Sequence, residues 1–224
     1  MKRVGVALLL IMALAACWVF AQTNQVLSRN AVGYVRIVVP KGGLVLVRMD
    51  FEDLQGGDLR AQDVIGDQLP LGSVVYNYRP SLGAYVVDNR TVLGWSTNII
   101  FDRGMGLWFR VPANAVSNEY VVYLMGEVPD RFTAPTSQVA VASGITQLGY
   151  MYPADILWTN TTLAKKAQLG DILYWWNGSN YVANNRTVLG WANPNLVITP
   201  AMGFWFRTTA AATNWMETRP YTWP

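Results

Sequence analysis

The heptapeptide Asn89-Arg90-Thr91-Val92-Leu93-Gly94-Trp95 returns letter for letter as Asn185-Arg186-Thr187-Val188-Leu189-Gly190-Trp191, 96 residues later. Seven identical residues in order are not chance, and self-similarity at a fixed period sets the size of the folding unit. The match extends both ways. Upstream, Leu71-Gly72 with Val74, Tyr76 and Tyr78 aligns with Leu169-Gly170 with Ile172, Tyr174 and Trp176. Tyr85 aligns with Tyr181, and Gly106-Leu107-Trp108-Phe109-Arg110 aligns with Gly203-Phe204-Trp205-Phe206-Arg207. A thinner match sets Gly33-Tyr34-Val35 against Gly126-Glu127-Val128. These matches predict two tandem copies of a module of ~95 residues. The first is assigned to residues 22–118 and the second to 119–224, behind a leader over 1–21.

The periodicity inside the repeat is that of strands. Val74, Tyr76 and Tyr78 alternate with Val75 and Asn77, and Ile172, Tyr174 and Trp176 alternate with Leu173 and Trp175. Residues two apart point to one face of a strand, and these side chains suit a pleated, half-buried surface. Further strands are expected at Val32–Val39, Leu44–Met49, Gly106–Val111, Glu119–Val128 and Gly203–Arg207. Turn chemistry separates them at Pro40-Lys41-Gly42-Gly43, Arg79-Pro80-Ser81, Asp102-Arg103-Gly104 and Asn177-Gly178-Ser179. Helical turns are short, at Asp58–Ile65 and Thr162–Gln168. The expected fold is all-β, mainly antiparallel, each copy being sandwich- or barrel-like. No flexible linker separates the copies, so they should pack together, with Glu119–Val128 at their junction.

The first residues read as an export signal. Lys2 and Arg3 precede an apolar run, Val4 to Ala16, that is too short to span a bilayer. Two processing readings compete. Val19-Phe20-Ala21 places small residues for cleavage before Gln22, whereas Leu14-Ala15-Ala16-Cys17 matches a lipobox whose Cys17 is acylated. The exported chain is therefore periplasmic, on the outer surface or extracellular, and touches membrane only through a lipid at Cys17. Without Lys2 and Arg3, 15 basic residues face 14 acidic ones, which gives a net charge of +1. Nucleic-acid binding wants a concentrated basic face, and the arginines here are scattered singly.

The Ala21-Gln22 junction, the Asn30-Ala31-Val32-Gly33-Tyr34-Val35 opening and the segment Gly170-Asp171…Tyr174-Trp175-Trp176-Asn177-Gly178…Tyr181 resemble secreted tandem-repeat β proteins of environmental bacteria. Those proteins are mostly of unassigned function. The resemblance covers nearly all the exported chain, marks a fold, and brings no active site with it.

Much chemistry is excluded. The chain has no histidine, which removes imidazole bases, Ser-His-Asp sites and histidine metal ligands. Cys17 is the single cysteine, so disulfides and thiolate metal sites go as well. No metal or cofactor is expected. Paired carboxylates could still act on a glycoside, with Asp50, Glu52, Asp53, Asp88 and Asp102 as candidates. Asp50–Asp53 lies at a strand end, where acids are expected to be solvated. Asp88 becomes Asn184 and Ser73 becomes Asp171, so no acid pair belongs to the repeated motif. Lys41, Lys165 and Lys166 lie in turn or connector sequence, where they should be exposed.

The aromatic load is the main functional hint. Nine of the Trp residues lie beyond the leader. Trp95 and Trp191 should be buried, each beside its Trp-Phe-Arg strand. Trp175 and Trp176 must face opposite ways, so one is exposed unless both faces are covered. The first reading is a non-catalytic exported β-repeat protein with a structural or adhesive role, its partner a glycan or envelope component. The alternative is a carbohydrate-binding module using Trp175, Trp176, Asn177, Asn180 and Tyr181. A carboxylate-dependent glycoside-acting enzyme stands third.

Overall fold

The computed structural model describes residues 31–54, 56–130 and 134–222. The expected leader, with the candidate processing sites at Ala21 and Cys17, lies outside the described residues, as does Trp223. The fold is all-β, and the pairings are antiparallel. The first half runs β1 (Val32–Pro40), β2 (Leu44–Arg48), α1 (Ala61–Val64), β3 (Val74–Arg79), β4 (Ala84–Thr91), β5 (Gly94–Trp95), β6 (Gly106–Arg110) and β7 (Glu119–Glu127). The second runs β8 (Thr136–Val141), β9 (Gly144–Gly149), β10 (Ile156–Leu157), a 3-10 turn (Trp158–Asn160), α2 (Thr162–Lys166), β11 (Ile172–Trp176), β12 (Tyr181–Thr187), β13 (Gly190–Trp191), β14 (Val197–Ile198), β15 (Gly203–Thr208) and β16 (Thr213–Thr218).

Each half holds one open five-stranded sheet. The orders are β2-β6-β3-β4-β5 and β9-β15-β11-β12-β13, and neither closes as a barrel. The repeat-matched residues share registers. Tyr76 lies opposite Val87 and Trp108, and Tyr174 lies opposite Ala183 and Trp205. Arg90 pairs with Trp95 as Arg186 pairs with Trp191. A strand of period two cannot slip by one residue without turning its apolar set to the wrong face, so matched sequence enforces matched register.

Alternate residues feed different cores. Val75, Leu107 and Phe109 enter the first core with Ile37, Val39, Val122 and Leu124 of β1 and β7. Leu173, Phe204 and Phe206 enter the second core with Trp158, Trp191 and Trp215. The remaining faces meet in a third cluster, where Leu46, Trp108 and Trp205 are buried among Tyr76, Tyr78, Tyr174 and Trp176. Sheets buried on both faces read as near-continuous apolar runs, as Leu107-Trp108-Phe109 does.

Two features differ from the sequence reading. Glu119–Val128, expected at the junction of the copies, supplies β7, which pairs with β1 along all nine residues. The Gly33/Gly126 match therefore joins pairing partners rather than repeat equivalents, because Gly33 lies directly opposite Gly126. In the second half the corresponding two-stranded ribbon is β8 with β16. Both glycines make room: a Cβ at Gly33 would meet the Phe51 ring at 2.6 Å, and one at Gly126 would meet the Glu52 carbonyl oxygen at 2.6 Å.

The halves are locked by backbone and by one buried ion pair. The Arg48 N–H donates to the Ala201 carbonyl at 3.1 Å, and the Gly149 N–H donates to the Gly104 carbonyl at 2.9 Å. Arg48 and Asp50 are both buried and lie 2.7 Å apart. The Arg48 guanidinium also donates to the carbonyls of Tyr150, at 2.5 Å, and Tyr152, at 3.1 Å. Asp50 accepts from the Ala201 N–H at 2.7 Å. Asp50 thus departs from the solvated acid expected of it, because its strand end lies against the second half rather than in water. Charges leave water only where partners replace hydration on every side.

Candidate functional site

The faces that meet between the halves leave a groove. A cavity of about 370 Å³ is lined by Tyr78, Tyr85, Ile145, Tyr174, Tyr181 and Trp205. That volume lies within the range of small-ligand pockets. Among the walls only Tyr85 and Tyr181 are matched to each other in sequence. Tyr78 and Tyr174 lie on β3 and β11, Tyr85 and Tyr181 lie near the starts of the matched strands β4 and β12, and Trp205 lies on β15.

The rings stand at steep angles and form walls rather than a flat platform. Tyr78 meets Trp205 edge-on at 5.1 Å, and Tyr85 meets Tyr78 at 5.5 Å and Trp205 at 6.2 Å. On the other side of the cluster Trp176 meets Trp108 at 5.4 Å, and Tyr181 meets Trp176 at 5.2 Å. These contacts are reciprocal, Tyr78 on Trp205 and Trp176 on Trp108, as in an isologous interface. One difference breaks the symmetry. Trp176 stands where the first half has Tyr78, and its larger indole donates to the Leu44 carbonyl at 3.1 Å.

The hydroxyls are prepared to bond. The Trp205 indole N–H donates to the Tyr181 hydroxyl at 3.1 Å, which leaves the Tyr181 proton free to donate. Burial raises the Tyr181 pKa, against that hydrogen bond. Burial also raises Tyr85, with a smaller contribution from Tyr181 and against a side-chain hydrogen bond with Trp108. Both hydroxyls therefore keep their protons at neutral pH.

Of the five residues expected from the sequence to bind carbohydrate, Tyr181 alone lines this groove. Trp175 packs against the second core and Trp176 joins the third cluster, so both faces of β11 are covered. Asn177 is exposed and its side-chain oxygen accepts from the N–H groups of Ser179, at 3.0 Å, and Asn180, at 2.8 Å. It shapes the hairpin turn, and Asn180 beside it does not line the groove. Tyr78, Tyr85, Tyr174 and Trp205 were visible as repeat-matched aromatics. Ile145 carried no signal.

The repeated heptapeptide resolves almost entirely into folding roles. Trp95 is 6% exposed and donates its indole N–H to the Gly66 carbonyl, while Trp191 is 8% exposed and donates to the Ala164 carbonyl. Gly94 and Gly190 hold φ of 110° and 117°, where other residues are strained. The Thr91 and Thr187 hydroxyls each donate to the following Gly94 or Gly190 carbonyl at 2.8 Å. Arg90 forms an ion pair with Asp67. Val92-Leu93 and Val188-Leu189 are the exception: Leu93 and Leu189 are each 96% exposed.

The acids have separate assignments. Asp88 accepts from the N–H groups of Thr97, at 2.8 Å, and Ile99, at 2.9 Å, pinning the loop after β5. Asn184 does the same after β13 by accepting from and donating to Asn193. A cavity of about 550 Å³ is lined by Glu52, Asp53, Asp102 and Glu127 among others, beside Arg103. Glu52 pairs with Arg103 at 2.6 Å, and Asp53 accepts from the Gly57 N–H at 2.7 Å. Burial raises the Glu127 carboxyl, assisted by Asp130, Glu52 and Asp53. Lys165 and Lys166 end α2 and are exposed. Among the described residues no group of three or more His, Cys, Asp or Glu is placed to hold a metal ion, and no helix is long and apolar enough to cross a membrane. The chain matches no protein-family model, no curated protein and no solved structure.

Proposed function

We propose that the chain is an exported, non-catalytic adhesive protein, built from two copies of one module, that binds carbohydrate in the aromatic groove between its halves. The observation that carries this reading is the lining of the groove: five aromatic rings, one isoleucine and no carboxylate. A pyranose ring offers C–H faces to aromatic walls and hydroxyls to phenols, which suits Tyr85 and Tyr181. The absence of an acid beside the walls supports binding without bond cleavage, because glycoside hydrolysis needs two carboxylates flanking the bond. The test is a glycan array probed with the mature chain, followed by mass analysis of the eluted sugar. Retention of intact glycans is the expected result. No retention on any glycan sinks the reading.

The carboxylate cavity supports a second reading, glycoside hydrolysis. Its motive is the cavity that gathers Glu52, Asp53, Asp102 and Glu127, where burial and the neighbouring acids shift Glu127 upward, the direction a general acid needs. Cleaved sugars in the same eluates, lost on Glu127→Gln, would establish it in place of the first.

A further inference from the structure

The ribbon of β1 and β7 has two apolar faces. One enters the first core through Ile37, Val39, Val122 and Leu124. Alternation turns Val32, Tyr34 and Val38 of β1, with Val121, Tyr123 and Met125 of β7, to the other side. Val32, Tyr34, Tyr123 and Met125 are exposed there, and Val38 and Val121 are half-buried. Tyr34 and Tyr123 touch edge-on at 6.0 Å. The ribbon of β8 and β16 holds the corresponding place in the second half, and its outward residues are Thr136, Gln138, Ala140, Asn214, Met216 and Thr218. One ribbon is dressed for water and the other is not. Contiguous exposed apolar patches of this kind mark interaction sites.

The charges on this face say what covers it. Arg36 lies opposite Tyr123, and Glu119 lies opposite Pro40, both on the outward side and both exposed. Neither has an ion-pair partner among the described residues. Val38 and Val121 form the pair midway between them. A two-fold axis through that middle pair lays the face on itself, sets valine on valine, and brings Arg36 of each copy to Glu119 of the other. We infer that this face is the interface of a homodimer, closed by two reciprocal Arg36–Glu119 pairs around an apolar centre. The ribbon is ~30 Å long and ~10 Å wide, so the interface is small and the dimer concentration-dependent. The inference does not rest on the glycan reading.

Sedimentation equilibrium of the mature chain over a concentration series tests it. Reversible dimerisation is expected for the wild type. Arg36→Glu should raise the dissociation constant about tenfold or more by setting like charges together. Combining it with Glu119→Arg should restore dimerisation, a rescue that a merely destabilised fold does not give. Tyr34→Lys should leave a folded monomer, checked by circular dichroism. A wild type that stays monomeric, a dimer indifferent to Tyr34→Lys, or a charge swap without rescue would overturn the inference, and so would a monomer that binds anionic vesicles through this face.

Discussion

Trp95 and Leu93 stand two residues apart in one repeated heptapeptide and do opposite things. The buried indole fills the first core and satisfies the Gly66 carbonyl, whereas the leucine touches water on nearly every side. Trp95→Ala or Trp191→Ala should therefore cost about 3–5 kcal/mol in equilibrium denaturation. Leu93→Ser and Leu189→Ser should stay within about 0.5 kcal/mol of wild type. Asp50 adds a pH dependence. Burial pushes its carboxyl up to about 6, against the Arg48 guanidinium and the Ala201 N–H. An acid raised on folding holds its proton better in the native state, so its stabilising contribution is complete below about pH 4 and is lost as pH rises towards 6. The stability of wild type relative to Asp50→Asn should fall between those values. A difference that is flat or rises with pH would show that the Arg48 attraction outweighs burial.

At the scale of elements, the repeat made most of the two sheets readable. Val74–Tyr78 and Ile172–Trp176 are short runs rich in β-branched and aromatic residues, and their turns carry glycine or asparagine, so β3, β11 and their partners stood out. β8, β9 and β16 did not. Thr136-Ser137-Gln138-Val139-Ala140-Val141 and Thr213-Asn214-Trp215-Met216-Glu217-Thr218 carry few large apolar residues, because only one face of that ribbon is covered. The groove was legible only in part. Its rings were visible as matched aromatics, but their convergence depends on how the halves dock, and no local pattern records that. Asn177 lies outside the groove and shapes its turn, and a turn-forming amide and a ligand-binding amide have the same sequence signature. The docking itself rests on Gly149, where a Cβ would lie 2.2 Å from the Arg48 Cβ. Gly149→Ala should destabilise by about 1–3 kcal/mol through overpacking. Arg48→Ala should cost about 3–5 kcal/mol by leaving Asp50 buried without its ion-pair partner.

At the scale of the whole molecule, two open sheets share a cluster of aromatic residues, and the groove exists only where the halves meet. On the proposed carbohydrate reading, binding and docking are therefore linked. A change that loosens the Arg48–Asp50 lock should weaken ligand affinity without touching a groove residue. Whether the proposed export leader is cut, and where, is a separate question for intact-mass measurement. An N-terminus at Gln22 means release as a soluble chain, and an acylated Cys17 means a lipid anchor, stabilised by about 0.8 kcal/mol per buried CH₂. The proposed binding of carbohydrate in the groove is tested most directly by an intrinsic tryptophan fluorescence titration of the mature chain with an array-selected glycan, run in parallel on Tyr181→Ala. Trp205 touches the Tyr181 hydroxyl at 3.1 Å and should report occupancy of the groove. A saturable change in the wild type that disappears in a folded Tyr181→Ala protein is the predicted result. An equal response in both proteins, or none in either, would contradict it.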